Sequence, residues 1–181
     1  MNDQTAPASD DDAAITAQLG RAMRAPSQVA SRCHLRLPIV AKVPPVLNSG
    51  EPFPTHYWLT CPLAHRRIAR LESAGGVRAY DARVQDDPAF AKAVAGAHSA
   101  YAKERDRLVP DSMPHPPRGG VAGAAGSGIK CLHAHYAHHR GGGENPIGAE
   151  VAASIEPLNC ASGCVADGKR SPDWREPQAK P

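Results

Sequence analysis

CHLRLPIVAKVPPVLNSGEPFPTHYWLTCP, residues 33–62, holds two candidate strands and the start of a helix, and its reading decides the fold. In residues 33–46, Leu35 and Leu37 alternate with polar neighbours and Ile39 and Val40 are β-branched, which predicts a strand. Asn48-Ser49-Gly50 is a turn signal. Residues 53–60 are rich in aromatics and threonine and read as a second strand, so the pair predicts a β-hairpin. Pro38 and Pro54 belong at strand ends or edges. Alternation sets Tyr57 on one face and His56 and Trp58 on the other, where His56 or Thr60 can join Cys61 at a site. Cys61-Pro62 then opens a helix, because Pro suits the first helical position, and Cys61 becomes its cap.

Outward from this stretch the pattern turns helical. Leu63, Ile68 and Leu71 give the helix after Cys61 an apolar side, and Gly75-Gly76 end it. Asp87-Pro88 opens another, with Phe90, Val94, Ala97 and Tyr101 at amphipathic spacing. Residues 109–127 are rich in Pro and Gly and read as a mobile loop. A third helix is expected over 129–140, closed by Gly141-Gly142-Gly143, and Asn145-Pro146 starts a shorter one over 147–155. Upstream, Ile15, Leu19 and Met23 give residues 13–24 weak helical periodicity. The expected fold is α+β: a small antiparallel β-hairpin or sheet packed against three or four helices, with disordered termini. Residues 1–30 form a polar extension, 31–155 one domain and 156–181 a disordered tail.

Composition narrows the function. A chain of 181 residues suggests one domain. Hydrophobic residues are 41% but aromatics only 4%, and much of the rest is Ala, so the core is expected to be small. A net charge of +3 with alternating signs argues against a nucleic-acid footprint. The five cysteines are odd in number and scattered, unlike a secreted disulfide framework. The N-terminus lacks the apolar region of a signal peptide, and no stretch has the roughly 20 apolar residues needed to span a bilayer. The expectation is a cytoplasmic protein with reduced thiols and no membrane span.

The chemistry concentrates in Lys130-Cys131-Leu132-His133-Ala134-His135-Tyr136-Ala137-His138-His139, which holds four of the nine histidines. At about 100° per residue, Cys131, His135, His138 and His139 share one helix face and His133 points away. Ligands one turn apart can grip one ion, and zinc accepts both thiolate and imidazole. The expected zinc set is Cys61, Cys131 and His135, with His138 or His133 as the fourth ligand. A polar, solvent-facing helix is the plain alternative. A second functional reading makes Cys131 a nucleophile or acid–base group beside Lys130 and His135, acting on a small anionic substrate. The helix N-terminus and the lysine would both favour thiolate there. Cys160 and Cys164 have the C-x₃-C spacing of a zinc half-site, but they fall in the expected tail and read as incidental. The run from Gly119 to Lys130 lacks the G-x₄-G-K-[ST] pattern of a phosphate loop, so it reads as a linker.

The segments 55–62 (THYWLTCP), 128–135 (GIKCLHAH) and 145–148 (NPIG), in this order and spacing, resemble the bacterial family catalogued as domain of unknown function 501. The likeness covers residues 32–151. Its motif positions here are Trp58, Thr60, Cys61, Pro62, Lys130, Cys131, His133, His135, Asn145, Pro146 and Gly148. The resemblance implies no established activity. It implies an actinobacterial setting, with genes beside those for a septum-formation initiator protein and an exopolyphosphatase-like enzyme. A non-catalytic adaptor of the division machinery, with the septum-formation protein as partner, is the third expectation.

Overall fold

A computed structural model describes residues 8–178 of the chain. Helix α1 spans Ala8–Leu19, earlier than the periodicity of residues 13–24 suggests, and it stops where Gly20 takes a positive φ of 73°. Three strands follow, β1 (Gln28–Arg32), β2 (Pro38–Lys42) and β3 (Tyr57–Leu59), as an antiparallel sheet in the order β1-β2-β3. Part of the expected first strand is a turn instead. Cys33 N–H donates to the Leu37 carbonyl at 2.9 Å, Arg36 N–H donates to the Cys33 carbonyl at 2.9 Å, and Arg36 sits at φ 63°. Those bonds within the turn replace strand pairing. Register shifts on either side of Ser31 bend β1 as it enters the turn.

The centre of the sheet is β2, with Pro38, Ile39, Val40 and Ala41 all buried. Pro38 is its first residue, where a missing donor costs least. On β3 the expected alternation holds: Tyr57 and Leu59 enter the main core, while Trp58 packs with Phe53 in a small cluster around Val43, Leu47 and Ala25.

Helix α2 (Pro62–Ser73) starts on Cys61 with Pro62 at its first position, as expected, and buries Leu63, Ala64 and Ile68. Gly75, left-handed at φ 92°, ends it. The chain then starts α3 (Gly76–Asp86), which sequence reading did not separate from the stop signal. A Cβ on Gly76 would lie 2.8 Å from the Leu71 carbonyl oxygen and 3.0 Å from Leu132 Cδ1. The second glycine therefore permits close packing and is not merely a terminator. Asp87 caps α4 (Pro88–Asp106), its Oδ1 accepting from the Ala89 and Phe90 N–H groups at 3.0 Å each. The Pro/Gly loop carries one short 3-10 turn, Val121–Gly123. Helices α5 (Leu132–Arg140) and α6 (Pro146–Ile155) pack on each other, and α5 also packs on β3.

The segment expected as a disordered tail is packed as far as Glu176. Leu158, Cys164 and Trp174 are buried in the main core. Arg66 lies over the Trp174 ring, and Glu176 pairs with Arg70 at 2.6 Å. A two-stranded hairpin, β4 (Val165–Ala166) and β5 (Lys169–Arg170), packs against α1. Apolar anchors too sparse to register as a periodic pattern hold this segment, which is why composition alone reads it as loose. No helix among the described residues is long and apolar enough to cross a membrane.

Candidate functional site

Helix α5 begins at Leu132, with Cys131 extended at φ −160° as its cap. That single shift re-sorts the side chains expected to share a face. Leu132 N–H donates to Glu72 Oε1 at 2.6 Å, so a carboxylate from α2 already occupies the helix N-terminus. His133 turns to the same carboxylate, with Nδ1 3.1 Å from Glu72 and its ring centroid 4.2 Å from that of His65. Lys130 is exposed. Cys131 is half-buried, and burial pushes its thiol above the ordinary value; the Ala134 N–H opposes this and the Glu72 charge adds to it. The direction runs against the expected low-pKa thiol, because burial outweighs the helix N–H groups and Lys130, which favour thiolate.

His135 and His138 do come together, on Asn145 rather than on Cys131. Asn145 is buried and caps α6, its Oδ1 accepting from Gly148 N–H at 2.8 Å. The same oxygen lies 3.1 Å from His135 Nδ1, which must then carry its proton. Asn145 Nδ2 is 3.2 Å from His138 Nδ1, which must be the acceptor, so His138 is protonated on Nε2. A third imidazole, His98 on α4, accepts Val121 N–H on Nδ1 at 3.0 Å, and its ring centroid is 5.4 Å from that of His135. The Nε2 atoms of His98 and His135 are buried and close no hydrogen bond among the described residues. A Cβ on Gly143 would overlap the His138 ring, and one on Gly120 would overlap His98, so the backbone closes tightly over this row.

Burial pushes both His135 and His138 down to about 4. Unfolded histidines take up a proton near 6.5. Between those values the unfolded chain binds more protons, so stability is full above 6.5 and is lost as pH falls toward about 4. A slope on the order of 1 kcal/mol per pH unit for each histidine is expected in urea melts. A midpoint that stays flat across that window would show that the two rings are not held neutral.

On the far side of His138 the polar row continues to the surface. The Tyr57 and Tyr101 ring centroids lie 5.4 and 5.1 Å from that of His138. The Tyr57 hydroxyl donates to Glu104 at 2.8 Å, and Lys42 Nζ reaches the same carboxylate at 2.7 Å. Burial works to raise the Glu104 carboxyl, but the bonds from Lys42 and Tyr57 outweigh it and hold the group below the usual range. His56 Nδ1 is 2.8 Å from the Val43 carbonyl, which can only accept, so Nδ1 donates. Nε2 then points to Glu104, 3.7 Å from its Oε1. These groups border a cavity of about 630 Å³ lined by Lys42, Val43, His56, Glu104, Arg107 and Leu108, among others. Leu108 is the one large apolar side chain exposed among the described residues, and Arg107 makes no ion pair there. A second cavity, about 830 Å³, opens beside His98 and Arg105.

Sequence reading thus found His135, His138 and the option of His56. It missed Lys42, Glu104, Arg107 and His98, and it gave Asn145 only as a motif position. Glu104 and Arg107 sit in the charged run KERDR at the end of α4, which reads as a solvated face. Only Lys42, His56 and Tyr57, distant in sequence, turn that run into a cavity wall. Cys61 is buried among core residues, and its neighbours in charge are Cys164 and Cys160 rather than Cys131. No group of three His, Cys, Asp or Glu side chains among the described residues stands arranged to hold a metal ion, so the set Cys61, Cys131, His133, His135, His138 is not gathered here.

The family profile described as Protein of unknown function (DUF501) matches residues 29–153. No curated protein and no solved structure matches the chain.

Proposed function

The chain belongs to the family described as Protein of unknown function (DUF501), and from that premise we propose that it binds a small anionic molecule in the Lys42–His56–Glu104–Arg107 cavity and exchanges a proton with it through His56. The orientation of His56 carries the reading. A backbone carbonyl fixes its Nδ1 proton, leaving Nε2 as a proton acceptor beside an ionised carboxylate. Lys42 and Tyr57 bond Glu104 and hold its carboxylate charged beside the His56 ring. Arg107 supplies the cation for the ligand's anionic end, while Val43, Pro44 and Leu108 supply an apolar wall. Every one of these residues lies inside the matched segment.

Calorimetric titration with inorganic phosphate, pyrophosphate, a nucleoside monophosphate and a small dicarboxylate tests the reading. At least one is expected to bind with a Kd below about 1 mM, weakened at least about tenfold in Arg107→Ala, the loss of roughly one charge-assisted contact. Repeating the titration in buffers of different ionisation enthalpy should show proton uptake that His56→Gln removes while binding persists. Failure of all four ligands, or binding indifferent to Arg107→Ala, would overturn it.

A further inference from the structure

The Pro/Gly loop after α4 is tied to one stripe of that helix, His98, Ala102 and Arg105. Val121 N–H donates to His98 Nδ1 at 3.0 Å, and Arg105 Nη1 donates to the Gly119 carbonyl at 2.8 Å. Between those ties the loop turns on itself. Gly120 N–H donates to the Ala124 carbonyl at 2.8 Å, and Gly123 N–H to the Gly120 carbonyl at 2.9 Å. Gly119, Ala122 and Gly123 are left-handed, at φ 82°, 55° and 71°. For Ala122 that conformation is strained, and strained positions gather at ligand clamps. Gly120 has to be glycine, since a Cβ there would overlap the His98 ring. Loop and helix together border the cavity of about 830 Å³, with Val109, Pro110, Pro116 and Ala124 in its apolar lining.

Two groups on the helix wall keep donors to spare. His98 accepts on Nδ1, so the proton of its neutral ring sits on Nε2, and burial pushes the ring's pKa down and keeps it neutral at pH 7. That Nε2 is buried and closes no hydrogen bond among the described residues; Gly128 lies near enough to favour its proton without bonding it. Arg105 is 1% exposed. Its contacts to the Gly119 carbonyl and to Asp106 Oδ1, 2.8 Å from Nε and 2.7 Å from Nη2, use three of its five N–H groups. The two donors are seven residues apart, two helical turns or about 10 Å along the axis, and Ala102 between them carries only a methyl group. Arg118, exposed in the loop, lines the same cavity and makes no ion pair among the described residues. From this arrangement we propose that the cavity binds a small, elongated organic anion, with an apolar body over Ala102, a carboxylate toward Arg105 and Arg118, and a neutral oxygen that accepts His98 Nε2–H. Such a ligand supplies the acceptor that the buried N–H lacks. Asp106 and Asp111 balance the two arginines in the lining, which favours a single negative charge over a polyphosphate. The site is separate from the cavity at His56 and does not rest on it.

The test is a titration of the full chain, its histidines labelled with nitrogen-15, with 4-acetylbenzoate, which has a carboxylate at one end and a ketone oxygen at the other. A Kd of about 2 mM or tighter is expected, the ordinary efficiency of a ligand this size. The His98 Nε2 resonance should shift and the His56 nitrogens stay in place. Benzoate lacks the second oxygen and acetophenone lacks the carboxylate, so each should bind about fivefold more weakly or worse. Ala102→Phe fills the cavity from its own wall and should abolish binding. Where that variant fails to fold, Arg118→Ala, at an exposed position, should weaken 4-acetylbenzoate about threefold and leave acetophenone unchanged. The unmodified chain decides the matter in any case. No binding below about 10 mM, a titration that moves His56 in place of His98, or benzoate and acetophenone as tight as 4-acetylbenzoate would overturn the proposal.

Discussion

Gly148→Ala is expected to destabilise the protein by about 3 kcal/mol or more, at or beyond the usual range for overpacking. Gly148 lies where α6 crosses α5. A Cβ there would overlap the His135 carbonyl oxygen and come within 2.6 Å of His139 Cβ and 2.9 Å of the His135 carbonyl carbon. None of these is the far end of a flexible side chain, so a whole helix has to move. The Gly148 N–H is also held by Asn145 at 2.8 Å, which prevents the first turn of α6 from yielding alone. Gly96 is the matched control: it is exposed within α4, and a Cβ on it meets nothing within 4 Å. Gly96→Ala should stabilise by roughly 0.5–1 kcal/mol, the ordinary gain on replacing a mid-helix glycine. Urea midpoints read both, and a Gly148→Ala midpoint within error of the parent would show that the helices do not meet this closely.

Asn145→Ala is expected to cost about 4 kcal/mol, by adding a lost helix cap of about 1 to two stranded imidazole nitrogens of about 1–3 each. The asparagine amide bonds Gly148 N–H, His135 Nδ1 and His138 Nδ1 at once. Among the described residues no other buried side chain is hydrogen-bonded to both rings. Asn145→Asp keeps the cap and the His135 bond but cannot donate to His138. It should fall between the parent and Asn145→Ala, with the His138 proton moved to Nδ1, a change visible in the imidazole nitrogen shifts. An Asn145→Asp midpoint equal to the parent would mean that the contact to His138 contributes nothing to stability, and one equal to Asn145→Ala that the cap and the His135 bond contribute nothing.

These two positions also show where legibility ends. The helix starts at Pro62, Pro88 and Pro146 are readable because proline fixes its own φ and needs no donor, whatever surrounds it. The Asn145-Pro146-Ile147-Gly148 segment is recognisable as a motif, yet its two decisive atoms act on α5, and nothing local reveals that partner. The Cys131–His135 pairing expected from helical spacing fails for a related reason. It assumes a helix running through residue 131, whereas Glu72, distant in sequence, takes the N-terminus and starts α5 at Leu132.

The sequence by itself determined the α+β class, the helix starts at Pro62, Pro88 and Pro146, and the position of the Pro/Gly loop. Each depends on backbone restraint or periodicity within a few residues. The tertiary structure alone decided which histidines are buried together, that Lys42 and Glu104 face His56 across a cavity, and that the C-terminal segment packs into the main core. Those relations join segments far apart in the chain. They are fixed by which apolar faces pack and which charges must find partners once water is excluded, and no local pattern encodes that.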